Sequence, residues 1–216
     1  GPWPSPVGEL LTRGPQVFAG YVDKKQTEEA FLDGWLRTGD ICRIDADGFV
    51  YIMGRAKDVI IRGGHNIDPR AIEDAALAFP GVALAAAVGR PDSYAGEVPM
   101  LFVSTQPGVT INPQELAAFV QENIPEPPAR PRAVSVIAEM PVTPVGKIFK
   151  PKMREIAAGE AARELLAAEG LSGEVSVEPI TDPSRGLFLR VKATADKAQT
   201  AERLLKKFPV KIEMSG

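Results

Sequence analysis

The sequence predicts an α+β protein, and three observations lead to that class. Residues 34–54 contain two strand-like runs joined by the turn-forming "DADG", which predicts a small β-region. Helix and strand patterns then alternate between residues 57 and 151, which predicts a small sheet flanked by helices. Residues 174–214 contain two strands, a helix and a further strand, which predicts a β-β-α-β extension.

The first part begins with the proline-rich "GPWPSPVG" and continues into a predicted strand at Gly8–Arg13. A strand needs a partner, and no earlier element precedes this one, so we expect it to be unpaired. Segment 24–32 predicts a short helix. The strands "GWLRTGDICRI" and "GFVYIMG" follow it.

The middle part is predicted to start with a strand at 58–62 and a Gly-Gly turn. A helix follows, with Asp68 as its N-cap and Pro69 at its first position. Its apolar side chains recur at helical spacing, at Ile72, Ala75, Ala76 and Phe79. The remaining predicted elements are strands near 82–89 and 98–104, a helix at 112–123 and a strand at 133–138.

The last part begins with the helical "KMREIAAGEAARELLAAE" after Pro151. Residues 174–180 and 186–193 alternate apolar and polar side chains, as half-buried strands do, and "TDPSRG" separates them. A helix at 195–207 and the strand-like "PVKIEM" complete the extension.

Composition excludes several classes of function. The chain has 216 residues, 44% hydrophobic and 25% charged, with a net charge of −3 and mixed signs, which gives no indication of a nucleic-acid partner. No apolar run approaches the roughly 20 residues of a membrane span, and no signal peptide is recognisable, so we expect a cytoplasmic protein. The single cysteine, Cys42, has no disulfide partner and no neighbouring metal ligands, so we interpret it as a structural thiol.

Four stretches carry more information together than any one alone. They are "DGWLRTGD" (33–40), "GRAKDVIIRGGHNIDP" (54–69), "GRPDSYAGEVP" (89–99) and "PVTPVGKIFK" (141–150). In this order the chain resembles the C-terminal third of the adenylate-forming superfamily, and among its branches the acyl-CoA synthetases fit best. The resemblance implies activation of a carboxylic acid by ATP, with Mg²⁺, to an acyl-AMP, followed by transfer of the acyl group to CoA. It also implies that a small C-terminal domain rotates between the two steps.

The resemblance divides the chain into an end of the N-terminal domain, a hinge, a mobile catalytic domain and an extension. These parts cover residues 1–54, 55–58, 59–155 and 156–216, respectively. Lys57 occupies the hinge position. A hinge needs a residue between two elements, where φ and ψ can change without breaking a strand pairing. Without the resemblance, Lys57 reads as an ordinary exposed lysine.

Two residues are implied to bind the nucleotide, Asp40 and Arg55. An ionised carboxylate has only acceptors and can hold both hydroxyls of a ribose, which suits the role given to Asp40. The competing interpretations are a simple "GD" turn and a solvated arginine at the end of a strand.

The Gly-Gly turn and its neighbour His65 are implied to contact CoA. Gly63 and Gly64 would allow the backbone to approach the narrow pantetheine arm, although a plain tight turn requires the same residues, and the two readings weigh about evenly. His65 has no visible partner for a triad and no co-ligands for a metal, so we expect a loop residue near CoA and no metal site. The family often has a glutamate at the position of Ala71, so any contact of that carboxylate is lost here.

Lys147 is the implied catalytic residue. "PVTPVGK" fits the family pattern PxTxxGK, whose lysine contacts the acid and the α-phosphate region during adenylation. An ammonium about 4 Å from a negative charge contributes roughly 4 kcal/mol at intermediate dielectric, enough to orient reactants. The alternative is a solvated loop lysine. The same pattern also suggests inactivation by a lysine acyltransferase, because acylation removes the charge.

The large N-terminal domain of the family, with its phosphate loop, adenine site and acid pocket, has no counterpart in this sequence. We therefore expect a fragment that depends on that missing domain and is inactive alone. The acid is expected to be fatty or otherwise hydrophobic, because of the alternating tail and of "GGHNIDP". The alternative function is a stand-alone binding or regulatory module without catalysis.

Overall fold

The computed structural model describes residues 4–215 and confirms the α+β class. The chain separates into two compact units, and the division falls between Val59 and Ile60. Both units are built from sheets whose neighbouring strands are mostly antiparallel.

The first unit is a four-stranded sheet with one short helix. Its elements are β1 (Ser5–Thr12), α1 (Lys24–Ala30), β2 (Phe31–Leu32), β3 (Trp35–Ile44) and β4 (Val50–Arg55). Strand β3 pairs with all three other strands, which makes it the centre of the sheet.

The prediction that the first strand lacks a partner is wrong. Strand β1 pairs antiparallel with β3, for example Glu9 opposite Ile41. The partner lies more than 20 residues later in the chain, so searching only upstream missed it.

The predicted helix at 24–32 ends two residues early because Phe31 and Leu32 turn back to pair with β3. Asp33 and Gly34 form the turn, with φ of 50° and 79°. Asp-Gly between two strands is the preferred sequence of a two-residue hairpin with two left-handed positions.

The second unit starts with a five-stranded sheet that is buried on both faces. Its strands are β5 (Ile60–Arg62), β6 (His65–Ile67), β7 (Val82–Asp92), β8 (Gly96–Thr105) and β9 (Ala133–Val136). The order is β6-β5-β8-β7, and β9 lies parallel to β8. Helices α2 (Pro69–Leu77) and α3 (Pro113–Asn123) begin as predicted, with Asp68 and Asn112 as N-caps and proline at the first turn.

Alternate residues of β7 enter different cores. Ala85 and Ala87 pack with residues of α2 and α3, whereas Ala86 and Val88 pack with Met153 and Ala157 on the opposite face. These last two residues belong to α4 (Lys150–Ala168), which therefore covers the second face of the sheet.

The extension forms its own three-stranded sheet. Strands β10 (Val175–Asp182), β11 (Gly186–Ala193) and β12 (Lys211–Ser215) are ordered β10-β11-β12, and α5 (Ala195–Leu205) connects the parallel pair β11 and β12. The same helix α4 supplies Ala158, Ala161 and Leu166 to the core of the extension. Helix α4 is thus continuous across the proposed boundary at residues 155 and 156.

Two hairpins have the same type of turn. Asp92 precedes Gly96 in the turn between β7 and β8, and Asp182 precedes Gly186 between β10 and β11. In each turn one carboxylate oxygen accepts hydrogen bonds from the backbone amides two and three residues later, at 2.7–2.9 Å. The glycine has φ of 79° or 74°, so the pattern DxxxG specifies both turns.

Candidate functional site

The structure brings together the two residues predicted to bind nucleotide. Asp40 and Arg55 lie opposite each other on β3 and β4, and Arg55 Nε is 3.1 Å from Asp40 Oδ1. Their side chains are 34% and 51% exposed, so polar atoms of both remain accessible to a ligand. Gly39 has φ of 72°, and a Cβ there would lie 3.2 Å from Arg55 Nη2, which explains a glycine beside Asp40.

Strand β1 braces this pair, a contribution that sequence reasoning missed. Thr38 Oγ1 donates to Leu10 O at 2.9 Å and accepts from Asp40 N at 3.0 Å. Glu9 binds Arg37 at 2.7 Å and also accepts from Gly39 N at 3.2 Å. The Arg37 hydrogen bond, together with its charge and the Gly39 amide, holds the pKa of Glu9 below its usual range. The "RTGD" segment is therefore fixed from the side of β1.

Lys57 lies in a one-turn 3-10 helix, Ala56–Asp58, between β4 and β5. The division between the two compact units follows directly, after Val59. The residue predicted to act as the hinge therefore lies between two strands, two residues before the end of the first unit.

Gly63 of the Gly-Gly turn lines an open pocket of about 450 Å³, which we call the Gly-Gly pocket. Gly63 and Gly64 have φ of 54° and 86°, values that favour glycine, and Gly63 N donates to Ala95 O at 2.8 Å. His65 is exposed at the start of β6, not in a loop as predicted. The residues that line the pocket are Arg62, Gly63, His65, Tyr94, Ala95, Pro127 and Pro128.

Tyr94 and Arg62 belong to this pocket and were not predicted. Tyr94 is 98% exposed, so its ring is available for contact with another molecule. Arg62 Nη1 donates to Pro128 O at 2.7 Å, which ties the Gly-Gly turn to the proline-rich segment. The sequence signal for Tyr94 was its place within "GRPDSYAGEVP", a stretch recognised only as a motif.

Asp92 holds the turn that presents Tyr94. Its Oδ1 accepts from Tyr94 N at 2.9 Å and from Ala95 N at 2.7 Å. The hydrogen bond from Ala95, then that from Tyr94 and the charges of Arg132 and Arg62, hold the pKa of Asp92 below its usual range. An ionised Asp92 thus orders one side of the pocket.

Lys147 lies on a separate hairpin, which we call the lysine hairpin and define as residues 141–149. Its two arms meet at the Val142–Ile148 bridge, and Phe149 N donates to Pro141 O at 2.8 Å. Thr143 N donates to Lys147 O at 2.7 Å, and Gly146 has φ of 77°. Lys147 is exposed and does not line the Gly-Gly pocket, so the two predicted sites are presented separately.

The described residues 4–215 contain no group of three or more His, Cys, Asp or Glu side chains arranged to hold a metal ion. Cys42 is buried and free, as expected of a structural thiol. Within the same described range, no helix is long and apolar enough to cross a membrane.

Comparison with known families identifies one part of the second unit. Residues 71–147 match the family described as AMP-binding enzyme C-terminal domain, a match that ends on Lys147. Residues 71–147 belong to the AMP-binding enzyme C-terminal domain family. The matched residues include most of α2, the Asp92 turn and most of the lysine hairpin.

Two curated relatives are acid–CoA ligases by name. The chain is 41% identical over 192 residues to a marinolic acid–CoA ligase of Pseudoalteromonas sp. strain SANK 73390, covering 88% of this chain and 29% of that protein. It is 41% identical over 149 residues to a long-chain-fatty-acid–CoA ligase of Bacillus subtilis, covering 68% and 26%. A match of 192 residues must include part of the extension, whereas one of 149 residues need not.

Two solved structures are also similar to this chain. The amide bond synthetase McbA of Marinactinospora thermotolerans has 36% identity and a TM-score of 0.62, over 70% of this chain and 31% of that one. ATP-bound MatB of Rhodopseudomonas palustris has 31% identity and a TM-score of 0.67, over 73% and 32%. The chain thus spans less than a third of the length of each of these four proteins.

Proposed function

We propose that this chain is the C-terminal portion of an acyl-CoA synthetase, which converts an acid and ATP to acyl-AMP and then transfers the acyl group to CoA. The observation that carries the proposal is the match to the AMP-binding enzyme C-terminal domain, which includes the motif lysine Lys147 on an exposed hairpin. Two relatives are named as acid–CoA ligases, which supports this class of reaction.

In the adenylation step, the ammonium of Lys147 would approach the carboxylate of the acid and the α-phosphate of ATP. It would stabilise the negative charge that accumulates as the acid oxygen attacks phosphorus and pyrophosphate leaves. Asp40 would accept hydrogen bonds from the ribose hydroxyls, and Arg55 would stay near the nucleotide through its ion pair with Asp40. Mg²⁺ would accompany the phosphates of ATP.

In the thioester step, the Gly-Gly pocket would receive CoA. Gly63 and Gly64 present backbone without side chains, which suits the pantetheine arm, and His65 lies beside them. Tyr94 would stack on the adenine of CoA, because a nearly fully exposed ring beside a pocket supplies the flat apolar surface that a base prefers. Rotation about Lys57 between the two steps would move the lysine hairpin away from the reacting groups and bring this pocket to them.

The N-terminal domain that supplies the phosphate loop and acid pocket is the partner that this proposal requires. Two observations support it: the chain covers less than a third of its relatives, and Phe49, Val50 and Tyr51 leave apolar surface exposed in the first unit. The acid is proposed to be fatty or otherwise hydrophobic, as for the Bacillus subtilis relative named above. Acylation of Lys147 by an acyltransferase is a further proposal, which intact-mass analysis after incubation with such an enzyme would test.

The test separates the two half-reactions in the complete enzyme. Lys147→Ala should impair acid-dependent ATP–pyrophosphate exchange by about a hundredfold or more, yet leave thioester formation from preformed acyl-AMP nearly intact. Tyr94→Ala should produce the opposite pattern. Equal losses in both half-reactions for Lys147→Ala would refute its role, and pyrophosphate exchange by this chain alone would refute the need for an N-terminal domain.

A second function follows from the similarity to an amide bond synthetase, in which an amine would accept the acyl group instead of CoA. The two functions differ only in the second step. Adding CoA or an amine separately to preformed acyl-AMP decides between them, and Tyr94→Ala should slow only the CoA reaction. A stand-alone binding module is the remaining alternative, and adenylation by the complete enzyme would exclude it.

A further inference from the structure

A shielded ion pair lies at the base of the lysine hairpin. Lys150 Nζ is 2.7 Å from Glu73 Oε1, and the two side chains are only 18% and 16% exposed. An exposed pair such as Lys25 with Glu29 has side chains 82% and 69% exposed. Because water screens a shielded pair less, the Lys150–Glu73 contact restricts its partners more strongly than a surface pair does.

The ion pair joins three elements. Glu73 lies on α2, and Lys150 is the first residue of α4. The same oxygen, Oε1 of Glu73, also accepts a hydrogen bond from Ala87 N at 2.8 Å, and Ala87 is fully buried in β7. One carboxylate therefore satisfies a buried backbone amide of the sheet and holds the start of α4 against it.

Lys147 lies three residues before this junction. Within the hairpin, Lys147 O accepts from Thr143 N, Lys147 N donates to Thr143 Oγ1 at 3.2 Å, and Phe149 N closes the base. These bonds fix the arms to each other but not to the sheet. The hairpin is joined to the core near its base, through buried Met140 before it, Ile148 in its second arm and Lys150 after it.

We propose that Glu73 is a positioning residue that acts through Lys150 to hold the lysine hairpin in the orientation used for adenylation. The inference rests on the proposed role of Lys147. Neither Glu73 nor Lys150 needs to touch a substrate. Loss of either charge would release the base of the hairpin from the start of α4, so that the hairpin changes its angle to the sheet and its internal hydrogen bonds open more often.

Amide hydrogen exchange, measured by NMR on this chain, tests the structural part of the proposal. The variants are Glu73→Gln, Lys150→Met and the double variant, which leaves no unpaired charge and so guards against failure to fold. Lys152→Met is the matched control, because Lys152 is on the same helix and pairs with Glu155 at 2.7 Å, but its side chain is 53% exposed.

We expect the amides of Thr143, Gly146, Lys147 and Phe149 to exchange roughly tenfold faster in the first three variants, and no change in Lys152→Met. The amide of Leu189 in β11 should keep its rate in all four. Unchanged hairpin exchange in a folded Glu73→Gln or double variant would overturn the proposal. So would an equal increase at Leu189, since that result means general destabilisation.

The catalytic part of the proposal is tested in the complete enzyme. Glu73→Gln should lower kcat for adenylation by about tenfold with little change in KM for ATP, and should leave the thioester step unchanged. Normal adenylation by Glu73→Gln, while Lys147→Ala is inactive, would overturn this inference alone. Normal adenylation by Lys147→Ala would instead overturn the proposed function together with it.

Discussion

Asp92 should control the order of the Gly-Gly pocket, and Asp92→Ala tests this. The substitution removes the acceptor of two hydrogen bonds, from Tyr94 N and Ala95 N. Since Ala95 O accepts from Gly63 N, loosening of this turn should reach the Gly-Gly turn. The perturbation therefore acts on the candidate CoA surface without altering a residue proposed to touch CoA.

The magnitude follows from the two bonds. A hydrogen bond to a charged group contributes about 1.5–3 kcal/mol when shielded, and exposure of the turn reduces this contribution. We expect the turn to lose about 2 kcal/mol in total, which corresponds to roughly thirtyfold faster amide exchange. The assay is residue-resolved hydrogen exchange at the amides of Tyr94, Ala95 and Gly63.

Asp182→Ala is the matched control, because Asp182 accepts the same pair of amide hydrogen bonds in the β10–β11 turn. It should accelerate exchange at Ser184 and Arg185 and leave Gly63 unchanged. Unaltered exchange at Tyr94, Ala95 and Gly63 in folded Asp92→Ala would refute the reasoning. Equal acceleration of Gly63 in both variants would also refute it, since the effect would then not be local.

The same carboxylate predicts a dependence on pH. The pKa of Asp92 is lower in the folded chain than in the unfolded chain. Its contribution to stability is therefore fully present above the unfolded pKa, near 3.9, and is lost as pH falls through the folded value. The difference in Tm between wild type and Asp92→Asn should be constant from pH 5 to 7 and shrink below about pH 4. A difference that persists at lower pH would contradict this assignment.

Three further predictions concern other parts of the molecule. Leu189→Ala, at a fully buried position, should lower the stability of the extension by about 3 kcal/mol, measured by amide exchange in β10–β12. A loss below about 1 kcal/mol would show that this core is not packed as described. Gly39→Ala should destabilise the first unit by about 1 kcal/mol in urea unfolding, because φ is 72° and the new Cβ crowds Arg55; a neutral result would contradict the strain. Asp40→Asn in the complete enzyme should raise KM for ATP about tenfold without changing KM for the acid, and an unchanged KM for ATP would remove Asp40 from the nucleotide site.

Local signals in the sequence were sufficient where the chemistry is local. Asp68 caps its helix as predicted, and alternation of apolar and polar residues predicts β10 and β11. The motif stretches also identified the domain family, which the match over residues 71–147 confirms. The roles assigned to Lys147, Asp40 and Gly63 stay predictions.

Long-range pairing could not be derived in the same way. The partner of β1 is β3, which follows a helix and a hairpin, and nothing in "GELLTR" specifies that choice. Consequently the bracing of Asp40 by Glu9 and Thr38 was missed. Tyr94 was missed as a pocket residue for the same reason, because its relation to Gly63 depends on the pairing of Arg62 with Gly96.

The sequence by itself determined most of the secondary structure, because caps, turns and periodicity act over a few residues, and its motif stretches indicated the domain family. Only the tertiary structure decided which charges meet. Glu73 and Lys150 are 77 positions apart in the chain, and each alone reads as an ordinary helical surface residue. Packing α2 and α4 on opposite faces of one sheet brings them to 2.7 Å at its edge, where burial gives the pair its strength.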